Sequence, residues 1–134
     1  MKVFIVNSSP QYAALFLNLG FALTEAIDQA DLMCFTGGAD VTPMIYRAQR
    51  HPRTYNDIHR DNQEQLVFQE AQRRGIPMVG ICRGGQFLNV MCGGSMYQDV
   101  TRHTMPHEIT DLQTGEKLLV SSTHHQMMKP SPEG

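Results

Sequence analysis

Residues 75–92 read Gly-Ile-Pro-Met-Val-Gly-Ile-Cys-Arg-Gly-Gly-Gln-Phe-Leu-Asn-Val-Met-Cys. Gly75 stops a preceding helix, and Pro77 bars its continuation. Residues 78–81 are a short apolar strand. A helix begins abruptly after Cys82, runs over residues 83–91 and ends at Gly93-Gly94. Strand, sharp turn and helix within so few residues are a unit of a parallel α/β sheet.

The same alternation extends toward the N-terminus. Residues 2–7 (KVFIVN) form a β-branched-rich strand ending in Asn-Ser-Ser-Pro. Residues 12–19 are an apolar helix closed by Gly20, and residues 25–30 a short helix. Residues 31–36 (DLMCFT) are a second compact strand, followed by the Gly37-Gly38 turn. Residues 41–57 have no clean period and are expected to form a loop over the domain. Residues 61–74 carry the clearest helical signal, with Leu66, Val67 and Ala71 on the apolar face. Beyond Gly94, residues 96–98, 108–111 and 117–121 are short strands. The fold class is therefore α/β with a largely parallel sheet, and functional groups in such sheets gather at the carboxyl ends of the strands.

The chain has 134 residues, enough for one domain with a real core. We place that domain at residues 1–128 and expect residues 129–134 (KPSPEG) to be a disordered tail. A net charge of −2 gives no basic field for nucleic acid or an anionic membrane. Arg47, Arg50, Arg53 and Arg73-Arg74 read as solvated charge. No apolar run reaches the ~18 residues of a membrane helix, and no signal peptide is seen, so a cytoplasmic protein is expected. The three cysteines, Cys34, Cys82 and Cys92, are odd in number and far apart, which fits a reducing compartment.

Gly80-Ile81-Cys82-Arg83-Gly84 has the Gly-x-nucleophile-x-Gly form. Such a turn holds the central residue in a strained backbone conformation at a helix N-terminus. There the free N–H groups and the helix dipole favour an anion. Acyl transfer also needs oxyanion donors. The N–H of Arg83 is one, and the Gly37-Gly38 turn offers a second. Alternative readings stay open on these residues alone: a buried core cysteine for Cys82, a simple turn for Gly37-Gly38. Cys34 and Cys92 lack any such frame and read as core.

Taken together, these motifs resemble the class I glutamine amidotransferases, and within them the γ-glutamyl hydrolase branch. That branch includes the γ-glutamyl-γ-aminobutyrate hydrolases and is peptidase C26-like. The resemblance rests on residues 37–43 (GGADVTP), on Arg60-Asp61 with Glu64, and on residues 75–86 (GIPMVGICRGGQ). It continues through Asn89-Val90, residues 93–99 (GGSMYQD), His103, His107 and residues 122–126 (STHHQ). It implies a flavodoxin-like three-layer sandwich. It also implies Cys82 as nucleophile toward a γ-glutamyl amide, through a γ-glutamyl thioester. Gly38 and Arg83 would supply the oxyanion hole, and Gly37, Gln86, His124, His125 and Gln126 the glutamyl pocket. It implies a small-molecule substrate and no metal or organic cofactor.

One departure matters. The family completes its triad with a late His-Pro-Glu motif, and this sequence has none. Ser131-Pro132-Glu133 matches two letters of three but follows His124-His125 too soon and has no strand leading into it. A shortened chain, a second chain or copy that supplies the base, and substitution by His124 or His125 are the three explanations. The chain is thus expected either to hydrolyse a γ-glutamyl amide or to be a binding or assembly module that keeps the pocket without turnover. Metal ligation is not expected, since Pro106 interrupts the His103/His107 pair and no Cys-x-x-Cys occurs. His51 and His59 read as exposed. Asp57, Arg60, Asp61 and Glu64 read equally as substrate contacts or as helix caps. Met127-Met128 reads as an apolar pair that packs against something absent from the chain.

Overall fold

The computed structural model describes residues 1–132. Four parallel strands make the main sheet: β1 (Lys2–Val6), β2 (Ala22–Leu23), β3 (Leu32–Phe35) and β4 (Met78–Gly80), in the order β2-β1-β3-β4. Ile5 pairs with Cys34, and Phe35 with Gly80. Alternation along β1 and β3 sorts the apolar side chains onto two faces. Val3, Leu32 and Cys34 pack with Phe16 of helix α1 (Pro10–Asn18) on one face. Val6, Met33 and Phe35 meet Phe68 and Ala71 of α2 (Ile58–Arg74) and Phe87 and Val90 of α3 (Arg83–Met91) on the other. These three layers are the flavodoxin-like sandwich that the resemblance implies.

Two short 3₁₀ turns, Ile27–Gln29 and Pro43–Tyr46, lie in the segments read as a short helix and as a loop. After α3 come β5 (Ser95–Tyr97), the hairpin β6 (His107–Thr110) and β7 (Lys117–Val120), and β8 (Met127–Lys129). The last is a correction. Met127 and Met128 have their partners inside the chain, because β8 runs antiparallel to β5 and pairs Met128 with Met96 and Met127 with Tyr97. Lys129, expected in the tail, closes this strand. Glu133 of the rejected Ser-Pro-Glu match and Gly134 of the expected tail lie outside the described residues.

Helix α2 also departs from its apolar pattern. Leu66 is 68% exposed, and the buried positions are Asp61, Glu64, Phe68 and Ala71. The buried face begins with two carboxylates, which no hydrophobic period can reveal. Among the described residues no helix is long and apolar enough to cross a membrane. Cys34 lies in the core, where burial pushes its thiol pKa up to about 11. Cys92, expected in the core, is exposed, because it sits at the C-cap of α3 where the chain turns outward at Gly93.

Candidate active site

Cys82 stands between β4 and α3 with φ 54° and ψ −116°, left-handed backbone that a non-glycine residue adopts only under constraint. The constraint is visible. Ile81 N–H donates to the carbonyl of Phe35 at 2.9 Å, and Gly85 N–H to that of Cys82 at 3.0 Å. The flanking glycines are there for space. A Cβ on Gly80 would lie 2.3 Å from the carbonyl carbon of Gly84, and one on Gly84 would lie 2.1 Å from the carbonyl oxygen of Phe35. Helix, strand and turn are in backbone contact, and the Cys82 side chain is left exposed.

The thiol borders a cavity of about 350 Å³. Cys82 and the residues that the resemblance assigns to the oxyanion hole and the glutamyl pocket all border this cavity, whereas Asp57, Arg60, Asp61 and Glu64 do not. Gly37 and Gly38 form one wall, Cys82, Arg83 and Gln86 another, and His124, His125 and Gln126 a third. Tyr12, Asp40 and Thr123 complete it. A second hollow, of about 420 Å³, continues past Cys82 and His124 toward Ser121, Met127 and Met128. A smaller cavity of about 220 Å³ beside Val3, Ile5 and Leu23 shares no residue with it.

Two backbone N–H groups at the main cavity, those of Gly38 and Arg83, have no hydrogen-bond partner among the described residues. The N–H of Gly37 is occupied, since it donates to the Tyr12 hydroxyl at 3.0 Å. Tyr12 could not be singled out from sequence; it sits in what reads as the apolar run of α1.

The histidines differ in their bonding. His124 Nδ1 lies 2.8 Å from the carbonyl oxygen of Gln126. A carbonyl only accepts, so Nδ1 carries the hydrogen and Nε2 of the neutral ring is an acceptor. His125 turns both nitrogens to carboxylates, Nε2 to Asp40 at 3.2 Å and Nδ1 to Asp99 at 3.5 Å. Both nitrogens thus lie within ion-pair distance of a carboxylate. Gln126 is almost fully buried, and its side-chain nitrogen donates to Thr54 Oγ1 at 3.3 Å and to the Gln98 carbonyl at 3.2 Å. Gln86 Nε2 donates to the Gln126 carbonyl at 3.3 Å, which ties α3 to the histidine loop.

Beneath the cavity lies a buried charge cluster. The Arg83 side chain is almost fully buried. Its guanidinium bonds Asp61 and Glu64, both fully buried, and its Nε donates to the Ala39 carbonyl at 3.2 Å. Asp61 also accepts from the Thr42 N–H at 2.8 Å, and Glu64 from Asn7 Nδ2 at 2.7 Å. Arg60 Nε donates to Glu64 at 2.8 Å. Asp61 and Glu64 therefore neither touch substrate space nor cap α2. Asp57 is the cap, accepting from the N–H groups of His59 and Arg60 at 3.0 and 3.2 Å. Among the described residues no group of three or more His, Cys, Asp or Glu side chains is arranged to hold a metal ion.

The family model of peptidase C26 matches residues 17–134. The chain belongs to the peptidase C26 family. Within this glutamine amidotransferase-like group, protein NtpR of Enterococcus hirae is 34% identical over 152 residues, an alignment that takes in 96% of this chain and 59% of NtpR. A glutamine amidotransferase-like protein of Lactococcus lactis subsp. lactis, YvdE, is 33% identical over 125 residues, covering 78% of this chain and 53% of YvdE. Among solved structures, that of SMU.1228c superposes with a TM-score of 0.65 at 19% identity, over 98% of this chain and 64% of that one. That of a glutamine amido transferase from Methylobacillus flagellatus gives 0.56 at 15% identity, over 98% and 57%. The chain thus spans less than two thirds of the length of these relatives, and the structures share its fold.

Proposed function

We propose that Cys82 is the nucleophile of a γ-glutamyl amide hydrolase. The observation that carries this reading is the strained Cys82 turn opening on a cavity that also holds the free N–H groups of Gly38 and Arg83. In the proposed reaction the Cys82 thiolate adds to the γ-carbonyl carbon. The carbonyl π electrons move to oxygen, and the two N–H groups stabilise the resulting oxyanion. Collapse re-forms the carbonyl, breaks the C–N bond and releases the amine once its nitrogen takes a proton. Water then adds to the γ-glutamyl thioester, giving glutamate and the free thiol. Gly37, Gln86, His124, His125 and Gln126 line the space for the glutamyl moiety.

A second reading rests on one sequence fact, the missing His-Pro-Glu motif. Without a proton acceptor the chain would bind γ-glutamyl compounds and not turn them over, unless a partner chain or further segment brings the base. One assay separates the two. Anilide release from a γ-glutamyl anilide is followed with wild type and Cys82→Ala. Cys82-dependent release places the base within these residues, and His124, whose Nε2 is an acceptor, is then the variant to make. Equal rates in the two proteins would overturn the nucleophile assignment. No release from either supports the binding reading.

A further inference from the structure

A trans peptide is planar, so its C=O and N–H point in opposite directions. Whatever holds the carbonyl of Gly37 therefore aims the N–H of Gly38. Arg60 holds it: Nη1 donates to the Gly37 carbonyl at 3.0 Å, while Nη2 donates to the Thr36 carbonyl at 3.1 Å and to Thr36 Oγ1 at 3.3 Å. The guanidinium is a rigid fork, so two consecutive carbonyls are fixed by one planar group. Gly38 has φ 153°, and a Cβ there would lie 2.0 Å from Arg60 Nη1, so the loop and the arginine are fitted to one another. Arg60 is itself oriented by Glu64, which is buried and also bonded to Arg83, the residue next to the nucleophile.

We infer that Arg60 is a positioning residue that turns the Gly38 N–H into the Cys82 cavity and, through the shared Glu64, fixes its spacing from the Arg83 N–H. This rests on the proposed γ-glutamyl acyl transfer. Arg60 does not border the cavity and touches no reacting atom; it acts through the Gly37–Gly38 peptide. The sequence offers it as one of four charged residues near a helix start and as part of the Arg60-Asp61 and Glu64 pattern of the resemblance, with no sign of its partner.

The test uses the full chain and the S-phenyl thioester of γ-glutamate. Thiophenolate leaves without a proton, so acylation of Cys82, read as a mass increase, depends on the thiolate and the oxyanion donors and not on a general base. Arg60→Met is expected to slow acylation by about 100-fold, the usual loss for one oxyanion donor, with little change in half-saturating thioester concentration. Alkylation of Cys82 by iodoacetamide, which forms no oxyanion, stays within about twofold of wild type. Arg60→Lys, which keeps the charge but lacks the planar fork, is expected to fall between; it also serves if Arg60→Met does not fold. Equal acylation rates in wild type and variant would overturn the role of Arg60 and leave the nucleophile reading intact. If neither protein is acylated, the γ-glutamyl reading falls, and a crystal structure of the variant decides the rest. A rotated Gly37–Gly38 peptide sustains the positioning role, and an unmoved one refutes it.

Discussion

Adding one methyl group at Gly84, and one at its neighbour Gly85, is expected to give opposite results. In Gly84→Ala the new Cβ would lie 2.1 Å from the Phe35 carbonyl oxygen and 2.4 Å from its carbon. Both atoms are backbone of β3, a strand paired on both sides, so neither can swing away. Relief requires α3 to move off the sheet by about 1 Å. Overpacking of this kind costs roughly 1–3 kcal/mol, and with no flexible side chain to yield we expect the upper end. At a typical urea dependence of about 1.5 kcal/mol/M, the unfolding midpoint falls by roughly 2 M. A displacement of that size at Cys82 also lowers acylation by about 100-fold. In Gly85→Ala the nearest atom is the Gly80 carbonyl oxygen at 3.5 Å, an ordinary contact. Alanine is the better helix former, so this variant is expected to gain ~0.5–1 kcal/mol. Urea titration by far-UV circular dichroism reads both variants in a protein without tryptophan. Equal midpoints for Gly84→Ala and wild type would refute the backbone-contact account of the turn.

Tyr46 Oη is buried without a partner among the described residues, and burial followed by the Asp40 and Asp61 carboxylates pushes its pKa up to about 12. Tyr46→Phe is expected to stabilise the protein by ~1 kcal/mol near neutral pH, and a loss of that size would show that the hydroxyl is satisfied. The pKa of Cys34 is raised from 9.0 to about 11, so the unfolded thiol ionises first and stability declines as pH rises through that window. The Tyr46 contribution follows between pH 10 and about 12, and Tyr46→Phe removes this second decline from urea midpoints measured against pH. Asp57→Ala removes the α2 cap and lowers stability by ~1 kcal/mol by the same titration; an unchanged midpoint would show that the capping bonds contribute nothing. Peptide-resolved iodoacetamide labelling is expected to rank Cys82 above Cys92 and leave Cys34 last; Cys82 slowest would count against an accessible thiolate.

Much of this molecule was legible in its residues because local rules agree there. Gly75, Pro77 and the apolar run before Cys82 mark a helix end and a strand, and Gly80 and Gly84 mark a turn with backbone packed tightly on both sides. The cavity lining was readable through resemblance, since residues 37–38, 82–86 and 124–126 carry ordered motifs that the fold gathers. What stayed hidden depends on distant partners. Asp61 and Glu64 read as substrate contacts or helix caps until Arg83 is brought beside them. Strand β8 is three residues long and exists because β5 lies alongside. Tyr12 gives no local signal, Asp40 lies within a quoted motif but shows no role there, and the hydrogen bonds of His124 and His125 follow from loop geometry.

The buried cluster of Asp61, Glu64, Arg60 and Arg83 has a dynamic corollary. Lifting α2 from the sheet while the Cys82 turn stayed folded would strand Arg83 as an unpaired buried charge, a penalty of roughly 3–5 kcal/mol. Fluctuations of α2 and of the first turn of α3 are therefore tied into one cooperative opening unit, although the two segments are separated in sequence. Their amide hydrogens are expected to report a common opening free energy in hydrogen exchange, and a ligand that settles against Cys82 is expected to slow exchange along the buried side of α2, a helix that does not border its cavity.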